Sequence, residues 1–236
     1  MSSKQPVVSV SMVLKRAARA IYENLLMCVA VSAVWGLPIM PGVFQIKMPF
    51  AGAYVTFVSL MCIVPAARYT HLAIRCKRTL HAEFWPTLPK AVGQGALLGL
   101  MGCIVYTILY SSWWYYRSDP GTLRFILAMV QTYMLAVFSM SLVYVPSVLA
   151  ITRCRFREAV LTSFRLFFTS TAYSLLLWLQ ITALAAFLLA TTIGFLILFA
   201  GIAALIVNVA CEELLRDPPD NAPDHGKQGK EPNAVE

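Results

Sequence analysis

The fold is decided by residues 166–211, which read LFFTSTAYSLLLWLQITALAAFLLATTIGFLILFAGIAALIVNVAC and contain no Asp, Glu, Lys or Arg. As one helix rising about 1.5 Å per residue, this stretch would be roughly 69 Å long, more than twice the ~30 Å hydrocarbon core of a bilayer. Gly194, after Thr191 and Thr192, is the predicted reversal point between two spans of about 18–20 residues. A soluble hairpin of this kind would need a large polar shell, which the rest of the chain does not supply. The sequence therefore predicts a transmembrane hairpin.

The composition extends this prediction to the whole chain. Of its 236 residues, 59% are hydrophobic and 13% are charged, whereas an average soluble domain has about 25% charged residues. The formal charge of +8 does not indicate nucleic-acid binding, because the basic residues lie at the ends of apolar segments, where positive charge orients membrane proteins. The six cysteines are scattered without CxxC spacing, so they favour neither a metal site nor a disulfide framework.

Four further apolar runs precede the hairpin. The predicted spans are residues 22–37, 48–67, 91–111 and 123–151, and Gly36, Pro38, Pro41 and Gly42 are expected to end the first span in a turn. The predicted fold is therefore an all-α polytopic bundle of six transmembrane helices. Its expected divisions are a cytoplasmic N-terminal segment (1–19), the six-span domain (20–215) and a disordered cytoplasmic tail (216–236).

The distribution of positive charge predicts the orientation. Of the 19 Lys and Arg residues, only Lys47, Arg117 and Arg124 fall in the segments on one side of the predicted membrane. By the positive-inside rule, both termini are expected in the cytoplasm, as in a multi-pass protein of the cytoplasmic (inner) membrane.

Two basic connections, residues 68–90 and 153–168, carry apolar residues at helical spacing. The first stripe is Leu72, Cys76, Leu80 and Phe84, and the second is Phe156, Val160, Phe164 and Phe168. This pattern predicts two short helices in the cytoplasmic interface, in contact with anionic lipid or with a protein partner. Pro86 and Pro89 are expected to end the first helix. The candidate contact residues are Arg75, Lys77, Arg78, Arg153, Arg155 and Arg157.

The third span carries small residues at every fourth position, namely Ala91, Gly95, Gly99 and Cys103. Such a face lets another helix approach closely, and it predicts packing within the chain in preference to dimerisation.

Within the predicted spans, the sequence offers little for catalysis. We predict no ionisable residue at mid-membrane depth, and only Glu23, beside Arg19, comes near. No nucleophile, metal or phosphate-loop motif occurs, and no cofactor or catalytic residue is predicted. Gln131, Gln180 and Asn208 are expected to hydrogen-bond between helices, and the alternative is that they line a polar path for a solute.

Four short segments resemble the YesL-like bacterial membrane proteins, a family of unknown function. These are Asn24-Leu25-Leu26, Pro65-Ala66-Ala67, Phe84-Trp85 and the basic segment before the final hairpin, and the resemblance covers most of residues 12–215. It implies a small integral protein of the bacterial cytoplasmic membrane, associated with carbohydrate ABC importers.

The sequence and the resemblance together predict a non-enzymatic accessory or assembly partner of a (carbohydrate) transport system. The expected partners are anionic lipid at the cytoplasmic face and ABC importer subunits. An autonomous permease for a neutral polar solute is the alternative, and an intramembrane enzyme is the third reading.

Overall fold

A computed structural model describes residues 10–45, 49–75, 80–118 and 121–216, and within these ranges the chain is helical without strands. The described helices are α1 (Val10–Glu23), α2 (Leu25–Phe44), α3 (Pro49–Arg75), α4 (Leu80–Ser118), α5 (Thr122–Leu142), α6 (Val145–Thr152), α7 (Phe156–Thr169), α8 (Thr171–Leu189) and α9 (Thr192–Arg216).

Six of the described segments are long and apolar enough to cross a membrane, which confirms the predicted six-span all-α architecture. They are Leu25–Phe44, Phe50–Ile74, Phe84–Ser118, Thr122–Thr152, Thr171–Leu189 and Ile197–Leu215. The fourth span is formed by α5 and α6 in sequence, with a break at Val143 and Tyr144. The chain is thus a multi-pass helical membrane protein.

The hairpin lies close to where its charge-free stretch predicts it. The chain reverses at Ala190 and Thr191, and Gly194 lies in the first turn of α9 instead of in the connection. The stretch also begins inside α7, because Leu166 precedes the end of that helix at Thr169. The absence of charged residues indicates that a segment lies within the membrane, but it does not by itself show where a helix begins or ends.

The predicted turn at the end of the first span is wrong, because α2 continues through Pro38 and Pro41 to Phe44. Each proline removes one backbone donor, but membrane helices tolerate proline where neighbouring groups satisfy the carbonyls that are left free. The hydroxyl of Tyr54 on α3 donates to the carbonyl of Pro38 at 2.8 Å, which ties this part of α2 to α3, although this carbonyl is not one of those that the prolines leave free. Gly42 is buried where α2 meets α3, and a Cβ there would lie 2.6 Å from side-chain atoms of Tyr54.

The first basic connection also differs from the prediction. Arg68 and Leu72 lie inside α3 and are buried, and α3 ends only at Arg75. Basic residues in the last turns of a helix interact favourably with the helix dipole. The first basic residue after an apolar run therefore does not mark the end of the helix. Pro86 and Pro89 lie inside α4 instead of ending a separate interfacial helix.

The small-residue face of α4 packs against α3, which confirms the prediction of packing within the chain. A Cβ at Gly95 would lie 2.2 Å from the carbonyl oxygen of Met61, and one at Gly99 would lie 2.8 Å from that of Phe57. Further along the same face, the thiol of Cys103 donates to the carbonyl of Ala53 at 3.3 Å. The backbones of α3 and α4 can therefore approach closely because Gly95 and Gly99 have no side chains.

Helix α9 is the centre of the bundle and contacts α1, α2, α3, α6 and α8. Ala200, Leu205 and Ala210 are fully buried along it. Where it meets α2, the N–H of Gly201 donates to the hydroxyl of Ser32 at 2.7 Å. The second helix of the hydrophobic hairpin, α9, is thus packed at the centre of the bundle, between the helices that precede it in sequence.

Candidate functional site

Helices α1, α3, α6, α7 and α9 meet at one end of the bundle, which we call the basic end. His71 near the end of α3 contacts Glu212 near the end of α9, and Arg16 of α1 contacts the same carboxylate. Helix α4 joins this end through Gln94, whose side-chain N–H donates to the carbonyl of Cys154 at 3.3 Å. The opposite end holds Arg117 and Arg124, in the last turn of α4 and the first of α5.

The three arginines predicted around residue 155 lie together at the corner between α6 and α7, and all three are exposed. Arg153 ends α6 in the left-handed conformation, with φ of 53°. The backbone N–H of Arg155 donates to the carboxylate of Glu158 at 3.2 Å, which caps α7. Because the corner is held by backbone geometry and a cap, it presents its arginines from a fixed position.

The other predicted contact residues belong to the first basic connection. Arg75 is the last residue of α3, and Lys77 and Arg78 lie outside the described residues.

Helix α7 is amphipathic, but its buried face differs from the predicted aromatic stripe. Ala159, Ser163 and Phe167 are buried, while Phe156, Val160 and Phe164 are only partly buried and Phe168 is 65% exposed. The hydroxyl of Ser163 donates to the carbonyl of Ser141 on α5, which fixes the helix to the bundle. Each buried residue therefore lies one position before a member of the predicted aromatic stripe. The difference arises because the small residues Ala159 and Ser163 make the contact with the bundle.

The outer face of α7 combines positive charge with apolar area. Arg157, Leu161 and Arg165 follow one another at four-residue spacing, and all are exposed, Leu161 to 60%. Lys15 and Lys90, on α1 and α4, are further exposed cations of the basic end. Arg19 is paired with Glu23 at 3.0 Å, so this carboxylate lies beside Arg19, where the sequence places it.

The basic end also holds an ionic cluster, between α1, α3 and α9, that the sequence analysis missed. His71 Nδ1 lies 3.3 Å from Glu212 Oε1, and only 9% and 11% of these two side chains are exposed. Arg16 contacts both Glu212, at 3.8 Å, and Glu213. These contacts attach α1 to α9 and α9 to α3. The signal that could have revealed them is the Glu212-Glu213 pair placed directly after an apolar span in a basic protein.

Asn208 continues the same α3–α9 contact deeper into the bundle. Its side-chain N–H group donates to the carbonyl of Ala67 and to the hydroxyl of Thr70, both at 2.8 Å. Asn208 is 1% exposed, and its Oδ1 is buried without a partner among the described residues. The predicted interhelical hydrogen bonding is therefore observed for this residue.

The structure does not bring Gln131 and Asn208 together. Gln131 lines a recess at the opposite end, and Asn208 lies near the basic end in contact with α3. Gln180 is partly buried in the middle of α8. A polar path along these three residues stays a prediction.

In chemical terms, the basic end offers ion pairs that hold helices and cations that attract an acidic surface. Among the described residues, no group of three or more His, Cys, Asp or Glu side chains is arranged to hold a metal ion. The described cysteines, Cys28, Cys62, Cys103, Cys154 and Cys211, are free thiols.

Comparison of the chain with protein-family models, curated proteins and solved structures finds no match. The resemblance to the YesL-like proteins therefore receives no support from these comparisons and stays a prediction.

Proposed function

We propose that this chain is a non-enzymatic accessory or assembly partner of a membrane transport system, with the basic end in the cytoplasm and both termini on that side. In the membrane of a bacterial cell, the positive-inside rule supports this orientation. The link to carbohydrate ABC importers rests on the resemblance alone.

The observation that carries the proposal is the exposed outer face of α7. An arginine-rich surface with an apolar centre is typical of protein interfaces, where arginine is enriched among the residues that dominate binding. Arg157 and Arg165 flank Leu161 on this face, and the opposite face of the helix is buried at Ala159 and Phe167. The surface is held in place before any partner arrives, which lowers the entropic cost of association.

Anionic lipid is a second ligand for the same end. Each Lys or Arg near an anionic membrane surface contributes about 1 kcal/mol of attraction. In this proposal, Arg153 and Arg155 of the preformed corner contact lipid headgroups, and the exposed face of α7 binds the transport subunit.

The test is affinity purification from native membranes of the wild-type chain and of a variant with Arg153→Gln, Arg155→Gln and Arg157→Gln. The matched control is Arg117→Gln, which removes an exposed cation at the opposite end. We expect transporter subunits to be recovered with the wild type and the control and to be depleted with the triple variant. Equal recovery in all three would contradict the role of the basic corner.

The autonomous permease remains the second candidate, because Gln131 lines a recess that is open at the opposite end. Flux of neutral solutes into liposomes containing only this chain distinguishes it. Saturable flux that is lost in Gln131→Leu would favour the permease, whereas the accessory role predicts no flux above that of empty liposomes.

A further inference from the structure

Arg68 is a buried cation of α3 that takes no part in the ionic cluster of the basic end. Only 5% of its surface is exposed, and its guanidinium group makes no hydrogen bond or ion pair with any residue that the structure describes. Among those residues, the side-chain atoms that are fully enclosed without a partner are Ser147 Oγ and Asn208 Oδ1. The small exposed part of Arg68 therefore includes its guanidinium nitrogens, so the charged end is where the site is open.

Arg68 has no counterion in the described part of the chain. The acidic side chains described there have other partners, and they are Glu23, Glu158, Glu212 and Glu213. A second cation, Arg153 at the α6–α7 corner, lies close enough to Arg68 to repel it. Arginine keeps its positive charge even when it is buried, and a buried charge without a counter-charge is strongly unfavourable. An anion from outside the described residues would therefore complete this site.

The depth of Arg68 in the membrane indicates which anion is available. Residues 48–67, directly before it, contain no charged side chain. At about 1.5 Å per residue this run is roughly 30 Å long, which is the thickness of the hydrocarbon core. Arg68 therefore lies where the core ends and the headgroups of the leaflet at the basic end begin. Lipid phosphates are the anions at this depth, and basic pockets between transmembrane helices bind anionic headgroups.

We propose that Arg68 binds the phosphate group of an anionic phospholipid from the leaflet at the basic end, where α3 meets the α6–α7 corner. The planar guanidinium holds two phosphate oxygens through parallel N–H groups, and Arg153 adds positive potential through its charge. This enclosed site differs from the exposed cations of the corner, because the protein surrounds the arginine that binds the phosphate. The site is independent of the proposed accessory role, since the lipid binds with or without a transport subunit.

The test is native mass spectrometry of the full chain in detergent, with added phosphatidylglycerol or with diacylglycerol, which has the same acyl chains without the phosphate. We expect phosphatidylglycerol to be retained and diacylglycerol to be lost. Arg68→Met removes the charge and its donors but keeps an unbranched side chain, and it should bind phosphatidylglycerol about tenfold more weakly, the change expected on losing charge-assisted hydrogen bonds. The matched control, Lys15→Met, removes an exposed cation of the same end on α1 and should bind as the wild type does.

Thermal unfolding of the same variants separates a lipid site from a structural role of Arg68. Without added lipid, Arg68→Met should melt at or above the temperature of the wild type, because it removes a buried charge that has no counterion. Added phosphatidylglycerol should raise the melting temperature of the wild type more than that of Arg68→Met, since a ligand stabilises the protein that binds it.

Equal binding of phosphatidylglycerol by the wild type and Arg68→Met, or an equal loss in Lys15→Met, would overturn the proposal. A lower melting temperature of Arg68→Met without lipid would also overturn it, because it would show that Arg68 already has a partner within the chain. Displacement of the lipid by millimolar inorganic phosphate would overturn it in favour of a free-anion site.

Discussion

Gly95 lets α4 lie directly against the backbone of α3, and Gly95→Ala tests that packing sharply. The added Cβ would lie 2.2 Å from the carbonyl oxygen of Met61. Carbon and backbone oxygen in favourable contact lie about 3.3 Å apart, so the two helices would have to separate locally by about 1 Å. Because the obstructing atom belongs to the backbone, no change of side-chain rotamer can relieve the contact.

The expected cost follows from two opposing terms. Overpacking a well-packed core costs about 1–3 kcal/mol, and a clash with backbone belongs at the upper end of this range. Alanine regains about 1 kcal/mol relative to glycine in the interior of a helix. The net loss is therefore about 2 kcal/mol. For a chain of this size that corresponds to a melting temperature lower by about 4–8 °C.

The assay is thermal unfolding in detergent, followed by circular dichroism, with Gly93→Ala as the matched control. A Cβ at Gly93 meets no atom within 4 Å, so this variant keeps the gain in helix propensity without the clash. Its melting temperature should be equal to or above that of the wild type. The reasoning is refuted if Gly95→Ala has the same melting temperature as Gly93→Ala. A lower dimer fraction at unchanged melting temperature would instead indicate that Gly95 serves dimerisation.

Three further predictions concern polar contacts between helices, each measured by SDS-induced unfolding in mixed micelles. Asn208→Ala removes two interhelical hydrogen bonds and should cost about 1–2 kcal/mol, whereas Gln180→Ala, which loses no such bond to any of the described residues, should cost little; equal losses would contradict this. Tyr144→Phe removes the bond from its buried hydroxyl to Ser174, 2.9 Å long, and should cost about 1 kcal/mol; an unchanged unfolding midpoint would contradict it. A double-mutant cycle on Arg16→Gln and Glu213→Gln should give a coupling of about 0.5–1 kcal/mol that falls with added salt, because both side chains are partly exposed; a coupling insensitive to salt would contradict it.

The number of membrane spans and the close packing of the small-residue face of α4 within the chain could be predicted because each depends on local pattern. Apolar length alone determines whether a segment can cross a bilayer, and the spacing of Gly95 and Gly99 identifies a face that is open to close approach. Helix ends were predicted less well. Pro38 and Arg68 are predicted at helix ends because the rules for helix ends come from helices that are exposed to water. In the structure, Pro38 lies inside α2, and Arg68 is buried inside α3.

The ionic cluster could not be predicted in the same way, because its members are remote in sequence. Arg16 and Glu213 are 197 residues apart, and Asn208 and Ala67 are 141 apart. The Glu212-Glu213 pair marks charged residues at the end of a span, but the sequence does not identify α3 and α1 as the helices that contact Glu212. Arg157 on the exposed face of α7 was among the contact residues that the sequence predicts, and the structure leaves it exposed, while the contact itself stays a prediction. The buried face of α7 was not predicted, because the small residues Ala159 and Ser163 make the contact instead of the phenylalanines.

Photo-crosslinking from Leu161 tests the central claim most directly. Leu161 is 60% exposed and lies between Arg157 and Arg165 on the outer face of α7, so a photoreactive amino acid there reports what covers that face in native membranes. The proposed accessory role predicts a discrete adduct with a transport-system subunit, which is lost when Arg153, Arg155 and Arg157 are replaced by Gln. A photoreactive residue at Leu127, near the opposite end, should not give this adduct. Adducts with lipid alone at position 161 would contradict the claim that this face binds a protein partner.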